Sequence, residues 1–109
     1  NKKLKMKFFS SSSKQRYNKE LANSVWICEA TDDVNATYYK LRFVAHDFVE
    51  GWVKYIDQEE ESKVFLASFE KEKNLLKFFK DDDVFVGIYT KSKIAAVIDG
   101  QTMNFLRST

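Results

Sequence analysis

From Val25 to Arg107 the chain reads as about eight short runs in which apolar and polar residues alternate, with no proline anywhere. A period of two puts successive side chains on opposite faces of an extended strand. Short strands joined by loops of two to six residues have few ways to bury one face each. The simplest is a meander of sequence neighbours, which removes its two exposed edges by closing on itself. The sequence therefore predicts an all-β domain: a small antiparallel up-and-down meander barrel of about eight strands.

The runs can be followed one by one. In VWICEAT, Trp26, Cys28 and Ala30 share a face opposite Val25, Ile27 and Glu29. After a turn at Asp32–Asn35, TYYKLRFVA sets Tyr39, Leu41, Phe43 and Ala45 inward, with Lys40 and Arg42 outward. His46–Asp47 makes the next reversal. FVEGWVKYI then places Val49, Gly51, Val53 and Tyr55 on one face, and puts Trp52 and Ile56 on the polar one beside Glu50 and Lys54, which implies partial cover there. An acidic loop, Asp57–Glu61, ends this run.

Residues 62–80 admit two readings. A helix would align Phe65, Phe69, Leu76 and Phe79, but the polar stretch Glu70–Asn74 breaks that side for more than a turn. A hairpin accounts for the gap directly, as KVFLASF, a turn at Lys71–Asn74, and LLKFF, and it is preferred. After an Asp81–Asp83 turn come DVFVGIYT, KIAAVID and TMNFLR, separated by Lys91–Ser92 and by Asp99–Gly100. An Asp-Gly pair between alternating runs is a strong hairpin signal, since both central residues of a type I′ turn need positive φ.

A chain of 109 residues holds one domain and must fill a small core with large side chains, here drawn from 10 Phe, 5 Tyr and 2 Trp. Charge divides it in two. Residues 1–20 carry seven Lys/Arg and one acid, and the remaining 89 carry eleven and fifteen. The first segment is read as a basic leader: a solvated tether, an arm docked through Phe8 and Phe9, or a peripheral membrane tether facing anionic lipid. One helical turn across Gln15–Ala22 is also expected. Residues 21–109 form the barrel. Its acidic balance argues against a nucleic-acid partner, which needs a basic face on the fold itself.

Three segments resemble the lipocalin-like, or calycin, superfamily, in particular its small bacterial envelope members. They are Leu21-Ala22-Asn23-Ser24-Val25-Trp26, Gly87-Ile88, and the closing run from Ile98 to Arg107. The resemblance implies a barrel plugged at one end by Trp26, with Arg107 from the last strand packed across its indole. It also implies an extracytoplasmic setting, in the periplasm or cell envelope. Without the resemblance, Trp26 reads as an ordinary core aromatic and Arg107 as a surface charge.

Candidate chemistry is sparse. His46 and Asp47 are the sole His–acid neighbours, but a general acid–base pair needs a pocket, and these sit in an expected turn. Cys28 faces inward and reads as an inert core thiol. One His and one Cys cannot assemble a zinc site, and Asp81–Asp83 lacks the spaced oxygens of a calcium loop. Asn35-Ala36-Thr37 matches the glycosylation sequon, a pattern common by chance. The chain is read as non-enzymatic, with no cofactor or metal. What remains is the barrel interior, where Tyr39, Phe43, Tyr55, Phe78 and Phe105 are the candidate contacts for a small hydrophobic or amphipathic ligand. The other reading is a solid barrel that docks a protein partner through its surface, near the outward Trp52 and Ile56.

Overall fold

In the computed structural model, residues 20–29 and 31–109 are described; the expected leader, up to Lys19, and the inward position of Ala30 lie outside them. Eight strands follow in chain order: β1 (Val25–Cys28), β2 (Ala36–Val44), β3 (Phe48–Tyr55), β4 (Ser62–Glu72), β5 (Leu75–Lys80), β6 (Asp83–Tyr89), β7 (Lys93–Ile98) and β8 (Gln101–Arg107). Each pairs antiparallel with the next, and β8 returns to β1 through Trp26↔Arg107 and Ile27↔Leu106, so the sheet is a closed barrel. Beyond the ladder, Ser108 N donates to Val25 O at 2.7 Å and fastens the seam.

The alternation of the sequence is the alternation of burial. In β6, Phe85, Gly87 and Tyr89 are buried while Val84, Val86 and Ile88 face out. Interior side chains form one cluster from Leu21 to Phe105. Its middle is aromatic: Phe43 packs edge-on to Phe69 at 4.9 Å and tilted to Phe78 at 6.4 Å.

Loops are tight where the backbone tolerates left-handed geometry. Asp99 (φ 51°) and Gly100 (φ 80°) make the two-residue connection between Ile98 and its partner Gln101, as a type I′ turn requires. Lys73 and Asp81 take positive φ in the other two-residue loops. The helix alternative for residues 62–80 is replaced by the β4–β5 hairpin.

Four details differ from the reading of the sequence. β4 runs on to Glu72, so the turn is Lys73–Asn74, and Lys71 lies in the strand, pointing inward and buried. Glu72 still pairs with Leu75, because hairpin register and not polarity decides where the strand stops. β5 and β6 likewise pair as far as Lys80↔Asp83, leaving only two residues in their turn. Ala45 is exposed with φ 57°, since the chain has already left β2 for the turn. Ile56 falls past the end of β3, largely exposed in the following loop.

Candidate functional site

Strand direction gives the barrel two unlike ends. At one lie the start of β1, the end of β2 and the ends of β4, β6 and β8. Here Leu21 and Trp26 are fully buried, and Tyr89 meets Trp26 edge-on at 5.9 Å. Arg107 Cζ stands 5.3 Å from the centroid of the Trp26 ring, on the neighbouring strand. The Arg107 guanidinium also donates to Glu20 O at 3.3 Å, and Lys71 Nζ lies 4.8 Å from the Tyr89 ring. Ser24 joins the segment before β1 to the plug: its hydroxyl donates to Leu21 O at 2.5 Å and accepts from Trp26 Nε1 at 2.8 Å. Burial, together with the Glu20 carboxylate, pushes the Tyr89 phenol above its ordinary value, with Arg107 opposing. This end is shut.

The other end opens into a cavity of about 160 Å³. Tyr39, Tyr55 and Phe105 line it, together with Phe65, Ile98 and Met103 on the inner wall and Asp99 and Gln101 at the β7–β8 turn. Two features of β3 shape the wall of this hollow. A bulge shifts the β3–β4 register between Gly51 and Trp52. Gly51 itself has no side chain, and the Phe65 ring lies over it, 2.2 Å from where a Cβ would stand. The Tyr39 phenol is pushed above its ordinary value by burial first and then by the nearby Asp33 carboxylate. The mouth therefore offers a mostly apolar hollow with two phenols at one side, and Lys40, Trp52 and Val64 also reach its lining.

Of the five candidate ligand contacts, the structure brings Tyr39, Tyr55 and Phe105 together around the cavity. Phe43 and Phe78 do not reach it, because they belong to the packed aromatic middle, at 1% and 0% exposure. Nothing in the sequence marks Gly51 and Phe65 as site residues. A glycine that leaves room only for one particular ring from another strand carries no signal before the register is known. His46 and Asp47 lie in the β2–β3 turn at the shut end, away from the cavity; Asp47 O accepts from Phe69 N at 2.9 Å.

A second polar constellation covers the outer wall of β2–β4. Trp52 Nε1 donates to Glu50 at 3.2 Å, and Arg42 and Lys63 each pair with the same carboxylate at 3.2 Å. Lys40 and Lys63 flank the Trp52 ring at 5.4 and 5.6 Å, and Lys40 pairs with Glu61 at 2.5 Å. Tyr38 donates to the same Glu61. Trp52 is thus half-buried among charges and gives no open apolar patch.

Fold and cavity define a closed, eight-stranded up-and-down barrel with one plugged end and one hollow end, consistent with a calycin-like fold. No protein-family model, curated protein or solved structure matches this chain.

Proposed function

We propose that the protein is a non-enzymatic, lipocalin-like carrier of the bacterial cell envelope that takes a small amphipathic molecule into its open end. The observation that carries this reading is the hollow of about 160 Å³ opposite the Trp26/Arg107 plug. Its size sets the ligand class. A buried apolar cavity of about 150 Å³ holds a benzene-sized guest, so a single substituted ring or a short branched chain fits and a long-chain lipid does not. Tyr39 and Tyr55 would hydrogen-bond the ligand's polar end, while Phe65, Met103 and Phe105 take its apolar body.

The test uses p-cresol as probe, followed by amide chemical shifts of the whole chain. Saturable shifts grouped at Tyr39, Tyr55, Phe65 and Phe105 are expected, weakened about tenfold in the Tyr39→Phe/Tyr55→Phe double variant by the loss of one net hydrogen bond. Shifts scattered over the surface, or equal affinity in the double variant, would reject the site. Native mass spectra of protein purified gently from its host would then show whether a guest of this size is carried.

A further inference from the structure

The barrel has two unlike outer walls. On β2–β4 charged and polar side chains pair with one another, as described above, between the exposed apolar side chains of Phe48, Val64 and Leu66. On β5–β7 the outward side chains are mostly apolar. All three outward side chains between Val84 and Ile88 are aliphatic, and Val84, Val86 and Ile88 are 55%, 43% and 53% exposed. Strand register widens this into a patch, setting Phe79 beside Val84, Leu75 beside Ile88 and Val97 beside Val86. A strand that is apolar on both faces is ordinarily covered on both. Because the barrel is closed, no partner can add a strand to it, and whatever covers this wall must pack face to face.

We propose that the β5–β7 wall is the contact face of a homodimer, packed against the same wall of a second copy. Area is the first argument. These six side chains leave roughly 400–500 Å² of apolar surface in water, close to the apolar share of a standard interface of about 800 Å² per partner. Charge is the second. The patch carries both signs, with Lys77 inside the β5 row beside Val86 and paired in register to Glu70, Glu72 beside Leu75, and Lys93 on β7. A two-fold contact is self-complementary, so each sign can meet its opposite on the other copy. An anionic lipid surface would instead select a border of lysines alone. The wall lies outside the barrel, so the dimer does not depend on the cavity being occupied.

Sedimentation velocity of the whole chain over roughly 1–300 µM tests this, because dimerisation follows protomer concentration. The expected result is a transition from 12.8 kDa to twice that mass, half complete at tens of micromolar or below. Val86→Arg puts an unpaired charge into the contact and should weaken association by about 100-fold or more while leaving the monomer's circular dichroism unchanged. Should that variant unfold, Val97→Arg on the adjacent strand tests the same face. Thr37→Arg, on the opposite wall, should leave the dimer intact. A wild-type protein that stays monomeric throughout overturns the proposal, whether or not it binds phosphatidylserine vesicles. So does a dimer that survives the arginine on β6 or β7, or one that Thr37→Arg disrupts equally.

Discussion

Gly51 and Phe65 show how much one absent methyl group can decide. A Cβ at Gly51 would stand 2.2 Å from Phe65 Cε2, so Gly51→Ala must drive the ring off its place on β3. The expected cost is about 1–3 kcal/mol, the range for overpacked interiors, read as a lower urea midpoint. Because Phe65 borders the hollow, the same variant should change p-cresol affinity. Trp26 is the opposite case, a large side chain with no exposure. Trp26→Ala should cost about 3–5 kcal/mol in the same assay, and a loss under about 1 kcal/mol would show that the plug is not structural. Arg107 is exposed, so Arg107→Ala should cost only about 0.5–1 kcal/mol, the scale of a solvated cation over an aromatic ring.

Among the elements, the β7–β8 hairpin has its register set by its turn. Gly100 sits at φ 80°, and a Cβ there would have nothing within 4 Å, so a side chain meets backbone strain and no clash. Gly100→Ala should therefore cost about 1–2 kcal/mol with an unchanged urea m-value, since the folded surface is the same. A larger loss with a lower m-value would mean that the turn also holds the β8–β1 seam. The β4–β5 hairpin teaches a different lesson. Its polar stretch Glu70–Asn74 looks like a loop, yet three of its five residues are strand, because pairing continues to Glu72↔Leu75. Lys71 is then carried inside, where the Tyr89 ring receives its ammonium.

For the whole molecule, the charged wall of β2–β4 makes stability depend on pH. Burial pushes the carboxyls of Glu50 and Glu61 up. Hydrogen bonds outweigh it, from Trp52, Lys63 and Arg42 to Glu50 and from Lys40 and Tyr38 to Glu61, and both end below the ordinary 4.5. Groups lowered in the fold stabilise it at pH above that ordinary value. The contribution is lost as pH falls through their folded values. The urea midpoint should therefore drop between neutral pH and pH about 3, and Glu50→Gln/Glu61→Gln should flatten that drop. Tyr38 tests the same network from the alkaline side. Its hydrogen bond to Glu61, then burial and the Glu61 charge, raise the phenol to about 12. Its phenolate absorbance should move back toward 10 in Glu61→Gln, and no movement would show that the Tyr38–Glu61 bond is absent in solution.

The sequence alone determined most of the strands and their order, and left residues 62–80 between a preferred hairpin and a helix. Period-two alternation fixes which side chains share a face, short loops make neighbours in sequence neighbours in the sheet, and Asp99-Gly100 fixes one register outright. Those are local effects, written within a few residues. Tertiary structure decided what depends on register between strands. It set Arg107 beside Trp26 across the closing seam, and separated Tyr39, Tyr55 and Phe105 at the hollow from Phe43 and Phe78 in the solid middle. It drew Lys71 inward, and gathered the apolar side chains of three strands on one outer wall. Alternation says which face a residue takes, and only closure of the barrel says at what height and against whom.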